Sequence, residues 1–417
     1  MRILVLGSGA REHAIITALL TEGSATPHDI TAAPGNAGIA AAVPTVALDA
    51  TKGAVVADYC VDNDIELLII GPEAPLVAGV ADAVRQRGIA VFGPGAAAAQ
   101  LEGSKAFAKR IMDTAGVPTG RAVRVGTLAE VEAALDELGA PHVVKADGLA
   151  AGKGVIVTDD RAAALAHAEN YLQQGGVLVE EFLAGQEVSL FFVSDGHTVL
   201  PLSPAQDYKR ALDGDAGPNT GGMGAYSPLP WAPEGFVDEV IRTVAEPTVR
   251  QLDAEGTPFI GLLYCGLIVT EQGIRVIEFN ARFGDPETQV VLPRLTTPVS
   301  ELLYAAATGR LSGMPRPEFS EDACVTVVLA SEGYPDSPQT GRPLTGVEAA
   351  GAVEGVHLCH AATARTDDGY VATGGRVLSV VATGADFEQA RARAYEAIGL
   401  LRLEGGQYRT DIAARVA

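Results

Sequence analysis

The sequence predicts a multidomain protein of α/β and α+β lobes: a doubly wound parallel sheet first, mixed central units next, and a small α+β lobe at the C-terminus. Three observations carry this expectation. The 417 residues exceed what one compact core accommodates, so two to four lobes are expected. Short β-branched runs alternate with helical patterns over the first hundred residues, which is the signature of a parallel sheet with crossover helices. From Glu187 the pattern changes to antiparallel strands and long polar loops.

Taken in order, residues 3–6 read as a buried strand and 11–20 as a helix with an apolar stripe. Residues 67–70 form a second strand ending in Gly71-Pro72-Glu73. A helix over 77–87 and a strand over 89–92, closed by Gly93-Pro94-Gly95, complete the unit, whose binding crevice lies at the carboxyl ends of the strands. One long helix is expected from 96 to 115, carrying Gly103-Ser104-Lys105 and ended by Gly116-Val117-Pro118. Next comes an α+β unit: helix 128–138, strand 142–146, a glycine-rich loop, strand 155–158, helix 161–173 and strand 177–181. A hairpin pairs 261–270 with 273–280 around Glu271-Gln272-Gly273, and residues from about 324 read as a separate small lobe.

Composition excludes several classes of function. A formal net charge of −22 disfavours nucleic acid and anionic membrane as partners, which require a basic face. Any phosphate site must then be built locally, from helix N-termini and a few fixed cations. The four cysteines, Cys60, Cys265, Cys324 and Cys359, are scattered without a Cys-x-x-Cys pair, so a reducing, cytoplasmic setting is expected. The N-terminal apolar run is too short for a membrane span and lacks a signal-peptide cleavage pattern.

Five segments carry chemistry. Gly7-Ser8-Gly9-Ala10-Arg11-Glu12 opens like a dinucleotide fingerprint, but Glu12 stands where the third small residue belongs, and no acidic residue ends the following strand, near Ala32-Ala33-Pro34. A phosphate or sugar-phosphate site fits better than NAD, and a tight turn without ligand stays open. The stretch from Lys145 to Gly154 imitates a phosphate-binding loop yet leads into a strand. It fits a hairpin tip closing over polyphosphate, with Lys145 on the strand and Lys153 on the flap. A lysine in an apolar strand implies an anionic partner. Glu180-Glu181-Phe182-Leu183, followed by Glu187, offers backbone to an adenine and a carboxylate to a ribose, with a surface acidic run as the alternative. In Glu278-Phe279-Asn280-Ala281-Arg282 the first and third residues share one strand face, about 6.5–7 Å apart, while Ile277 and Phe279 turn into a core. A carboxylate and an amide oxygen make a partial Mg²⁺ shell, and Arg282 supplies a planar fork for a carboxylate or phosphate. Finally, Gly221-Gly222-Met223-Gly224 belongs to a glycine-rich loop preceded by Asp207, Lys209, Arg210, Asp213 and Asp215. It reads as a shaped binding loop or a flexible surface loop.

Together and in this order these motifs resemble the phosphoribosylamine–glycine ligase family of the ATP-grasp superfamily, over nearly the whole chain. The resemblance is strongest at residues 148–157, 217–228 and 278–289. It implies an N-terminal sugar-phosphate-binding domain at 1–103 and a central ATP-grasp domain at 104–122 and 188–323. A lid at 123–187 and a C-terminal domain at 324–417 complete the set. It implies Lys105, Lys145 and Lys153 on phosphates, Glu180, Glu181, Phe182 and Leu183 at the adenine, and Glu187 at the ribose. Glu278 and Asn280 would hold Mg²⁺, or Mn²⁺ in its place. Gly9, Arg11, Glu12, Asn36, Ala37 and Gly38 would border the phosphoribosylamine, and Gly222, Met223, Arg282, Asp285 and Asp213 the glycine end, with Arg282, Asp213 and Lys145 catalytic. Three departures from the family pattern stand out: Ala10 in the first turn, a short 173–176 connection, and Ala413 where glycine is common.

The implied reaction joins glycine to 5-phosphoribosylamine through glycyl phosphate, with ATP as the third small-molecule partner, in a cytoplasmic monomer or dimer of purine biosynthesis. A sibling ATP-grasp enzyme acting on another acid and amine is the first alternative, and a silent nucleotide-binding regulator the second. Loss of Glu278, Asn280 or Lys145 would favour the regulator, and all three are present.

Overall fold

The computed structural model describes residues 1–23, 27–148, 154–173 and 175–417. Its N-terminal sheet is wholly parallel, in the order Asp29–Pro34, Arg2–Gly7, Leu67–Ile70, Ala90–Phe92. The continuous apolar run Ile3–Leu6 is fully buried, as a parallel strand covered on both faces requires. Of the expected helices, 77–87 is shortened, with a further short helix ahead of it, and 96–115 is broken in two. Gly79 adopts φ +79° and separates Glu73–Val77 from Val80–Arg85. Ser104 leaves helical geometry and its hydroxyl accepts from the Phe107 N–H at 3.2 Å, so the expected long helix becomes Ala96–Gly103 and Lys105–Ala115. A serine cap outcompetes continuation there because it satisfies an orphan donor of the new helix, and it sets Lys105 in a first turn.

The expected α+β unit is an antiparallel sheet, Ala122–Val125, Val177–Glu180, His142–Ala146, Val155–Thr158. It has its own small core around Val131, Leu135, Val144 and Val179. The central sheet runs Val199–Pro201, Gln186–Asp195, Ile260–Thr270, Gly273–Asn280. In its hairpin Gly266 pairs with Glu278 but Leu267 pairs with Val276, which leaves Ile277 as a bulge. The expected burial of Ile277 is therefore corrected: the inserted residue breaks the period-two alternation and lies only partly buried, whereas Phe279 is in the core.

The C-terminal lobe is less separate than its sequence suggests. Its strands Ala323–Ala330, Arg376–Gly384 and Val356–His360 share one sheet with Gln206–Asp207 and Gly224–Ser227 from the central region. One hydrophobic cluster accordingly runs through Leu4, Leu263, Phe279, Val325 and Val380. Among the described residues no helix is long and apolar enough to cross a membrane.

Candidate active site

Where the lobes meet lies a cavity of about 450 Å³. Seven cations line it (Arg11, Lys105, Lys109, Lys145, Lys209, Arg282, Arg376), against seven carboxylates (Glu73, Glu102, Glu180, Asp207, Glu278, Asp285, Glu287). In a chain of net charge −22, this parity makes the cavity far more hospitable to anions than the remaining surface.

The charges are arranged in pairs. Lys145, buried in the strand His142–Ala146, meets Glu180 at 2.9 Å and donates to the Ile277 carbonyl at 3.2 Å. The bulge at Ile277 thus serves the site by turning a carbonyl toward a buried ammonium. Lys109 reaches the same Glu180 oxygen at 3.4 Å. Lys105 has no ion pair among the described residues; it donates to the Gly148 carbonyl at 3.1 Å. Burial holds its ammonium below the usual lysine range, with Glu278 opposing. Glu278 and Asn280 both line the cavity, and Glu278 too lacks an ion pair among the described residues.

Arg282 is clamped by two acids, Glu102 at 3.0 Å and Glu73 at 3.3 Å. Burial alone would lower its guanidinium, but Glu102 and Glu73 raise it above its ordinary value. Asp285 pairs with Arg376 at 3.0 Å and accepts from Gln289. Burial pushes its carboxyl up, and Arg376 and Arg11 more than reverse that. Arg376 also donates to the Gly221 carbonyl at 2.7 Å, while the Gly221 N–H donates to the Tyr334 hydroxyl at 2.9 Å. The C-terminal lobe therefore fixes the glycine-rich loop. Lys209 pairs with Glu187 and lies 3.6 Å from Asp207; burial pushes the Asp207 carboxyl up to about 7, Lys209 opposing.

Of the residues expected at the site, Arg11, Lys105, Lys145, Glu180, Glu278, Asn280, Arg282 and Asp285 line this cavity. Several others do not. Asn36 caps the helix Ala37–Ala42 through Oδ1, which accepts from Gly38 and Ile39, while Nδ2 donates to the Ser8 and His360 carbonyls. All four hydrogen-bonding positions of its amide are spent, so its side chain has none left for substrate. Ala37 and Gly38 belong to the same capped turn, with Gly38 packed on His360. The Gly9 N–H is already taken by the Glu12 carboxylate at 2.6 Å, which also holds Arg11 at 2.6 Å. Glu12 is thus an internal cap, and the amide expected to meet a phosphate is occupied. Asp213 lies outside the lining, accepting from the Thr410 N–H and hydroxyl. Met223 is fully buried and Gly222 packs against Pro286, so both shape the loop from behind. Glu181, Phe182, Leu183 and Glu187 lie outside the lining, at the rim next to Glu180 and Lys209. Lys153 and the flap tip fall outside the described residues, as does Gln174 in the short connection.

The site also holds residues that motif reading passed over as partners. Glu73 and Glu102 sit in conspicuous Gly-Pro-Glu and Leu-Glu-Gly-Ser segments, and an acidic residue facing a buried arginine is the signal that could have found them. Arg376, Tyr334, Tyr264 and Lys109 carry no local signal, because they reach the cavity only through long-range packing.

The comparisons agree along the whole chain. Models of the phosphoribosylglycinamide synthetase N domain, ATP-grasp (A) domain and C domain match residues 1–102, 103–288 and 324–415. A phosphoribosylamine–glycine ligase of Leifsonia xyli subsp. xyli is 75% identical over 418 residues, covering 100% of each chain. The crystal structure of a phosphoribosylamine–glycine ligase from Thermotoga maritima superposes with a TM-score of 0.85 at 32% identity, over 99% of this chain and 100% of that one. The biotin carboxylase domain of a Hydrogenobacter thermophilus 2-oxoglutarate carboxylase, solved with MgADP and bicarbonate, shares the fold alone. Its TM-score is 0.71 at 16% identity, over 98% of this chain and 91% of that one. With three successive domain models matched and full-length identity to a curated ligase, this chain belongs to the phosphoribosylglycinamide synthetase family of ligases.

Proposed function

We propose that the cavity joins glycine to 5-phosphoribosylamine, converting ATP to ADP and phosphate, and that glycyl phosphate links the two half-reactions. The glycine carboxylate oxygen attacks the γ-phosphorus and ADP leaves. The 1-amino group then attacks the acyl carbon, and phosphate departs as the amide of glycinamide ribonucleotide forms. The observation that carries this reading is the pattern of unpaired charge: among the described residues Lys105 lacks a carboxylate and Glu278 lacks a cation, in a cavity where most charges are paired. Such a site suits a polyphosphate and a divalent cation together.

The obstacle to the first step is repulsion between glycine's carboxylate and the triphosphate, about 4 kcal/mol for unit charges 4 Å apart at an effective dielectric of about 20. Lys105 and Lys145 face the phosphates in this reading, and Arg282, held rigid between Glu73 and Glu102, orients the glycine carboxylate. The rim segment from Glu181 to Leu183, with Glu187 beyond it, receives the adenosine. Two hard oxygen donors on one strand, one of them a carboxylate without a cation, fit Mg²⁺, or Mn²⁺ in its stead. A divalent ion held by Glu278 and Asn280 would withdraw charge from the transferring phosphoryl group. A cytoplasmic monomer is part of the same proposal.

Steady-state ADP release tests it, with glycine and phosphoribosylamine omitted in turn. Turnover that needs both substrates supports the reading, and ADP release indifferent to glycine defeats it.

A further inference from the structure

Of the seven cavity carboxylates, five are neutralised by the chain's own cations. Glu278 is one of the two that are not, and it is given to the metal above. The other is Glu287, only 3% exposed and without an ion pair among the described residues. Its Oε1 accepts from the Tyr264 hydroxyl at 2.6 Å; the Ser189 hydroxyl, 3.2 Å from Oε1 and 2.8 Å from the Tyr264 oxygen, donates its one proton to one or the other. Its Oε2 has no partner among the described residues. Two hydroxyls hold this carboxylate in place but do not balance its charge, and an isolated buried carboxylate is costly unless a cation comes from outside.

We propose that Glu287, held by Tyr264 and Ser189, binds the ammonium group of the amino-acid substrate and so separates an amino acid from a carboxylic acid of the same size. The inference rests on the ligase reading and deepens it. A zwitterion needs a cation at one end and an anion at the other. Arg282 and Glu287 line the same cavity from one short segment, and the Glu287 charge helps to raise the Arg282 guanidinium. The other five are committed: Glu73 and Glu102 to Arg282, Asp285 to Arg376, Glu180 to Lys145 and Asp207 to Lys209. A second divalent ion is a poorer occupant, since Oε1 is already taken by hydroxyl and only Oε2 is left to offer it. An ammonium group needs only a charge and one free acceptor.

The test measures acyl-phosphate formation, trapped with hydroxylamine, for glycine and for glycolate, in which a hydroxyl replaces the ammonium. The wild-type protein is expected to prefer glycine strongly. Glu287→Gln is expected to raise the KM for glycine by about 100-fold, leave the KM for ATP within about twofold, and collapse the glycine-to-glycolate ratio. Tyr264→Phe keeps the carboxylate and is expected to give a smaller loss in the same direction. An unchanged glycine KM and ratio in Glu287→Gln overturns the inference while leaving the ligase reading intact, as does a shift in Mg²⁺ requirement with normal glycine use. No glycine-dependent product from the wild-type protein overturns both. Should Glu287→Gln fail to fold, Tyr264→Phe decides, and an unchanged ratio there also overturns it.

Discussion

The Glu12 carboxylate reaches back to the Gly9 N–H, and its body fills the space beside Gly7 and Gly71. A Cβ added at Gly71 would come within 2.0 Å of Glu12 Oε1, and one at Gly7 within 2.5 Å of its chain. The glycines that look like a dinucleotide fingerprint are there to admit a buried acid, which is why the residue that spoils the fingerprint also explains it. Gly71→Ala should therefore destabilise the protein by about 1–3 kcal/mol, read as a lowered Tm. Ala413 shows the reverse relation: it is fully buried at φ +58°, with its N–H on the Tyr208 hydroxyl. A left-handed alanine costs about 1–2 kcal/mol, and glycine at that position loses part of the gain to unfolded-state entropy. Ala413→Gly should raise Tm, by up to about 1 kcal/mol of stability. Single residues with unusual chemistry for their position, such as Lys145 in an apolar strand, were legible in the sequence. The cap role of Asn36 was not legible, because a cap and a ligand-binding amide look identical until their partners are known.

At the level of elements, Ser104 decides where two helices part and so where Lys105 stands. Its hydroxyl caps the second helix and donates to Asp147 at 3.1 Å, joining that helix to the end of the lid strand. Ser104→Ala should cost about 1 kcal/mol and raise the KM for ATP while leaving that for glycine unchanged. Steady-state kinetics with each substrate varied separates the two. Helix and strand periods placed the longer, regular elements of the first half, but not the helices Ala37–Ala42 and Gly53–Asp62 or the strand Ala122–Val125. The breaks at Gly79 and Ser104 escaped because a left-handed glycine and a cap interrupt an apolar stripe without changing it. The bulge at Ile277 escaped for a related reason: alternation assumes an unbroken ladder. Gly266, the glycine that pairs with Glu278 across the hairpin, was the available hint.

Across the whole molecule, the C-terminal lobe is locked to the N-terminal one through buried histidines. The His360 N–H donates to His13 Nδ1 at 2.8 Å, and Asn36 holds the His360 carbonyl. Burial depresses all three imidazoles, His13 to about 3 with help from His360 and His357, and His357 and His360 to about 4. The folded pKa values lie below the unfolded value of 6.5, so the native state holds these rings neutral while the unfolded chain binds protons first. Their contribution to stability is complete above pH 6.5 and is lost as pH falls toward 4, by about 1.4 kcal/mol per pH unit for each ring. Tm should drop between pH 7 and pH 5, and less steeply in His360→Gln. This inter-lobe contact was invisible in the sequence, where His357 and His360 showed only a spacing of three. Composition did convey that a phosphate site must be built from a few local cations, and the cavity gathers seven of them against seven carboxylates in a strongly acidic chain.

The central claim is that glycine's own carboxylate oxygen passes through an acyl phosphate. Glycine labelled with ¹⁸O in the carboxylate, turned over with ATP and phosphoribosylamine, tests it directly by mass spectrometry of the released phosphate. The account predicts one ¹⁸O atom in each phosphate formed from fully labelled glycine. Phosphate that carries no label, with amide product still forming, would contradict it.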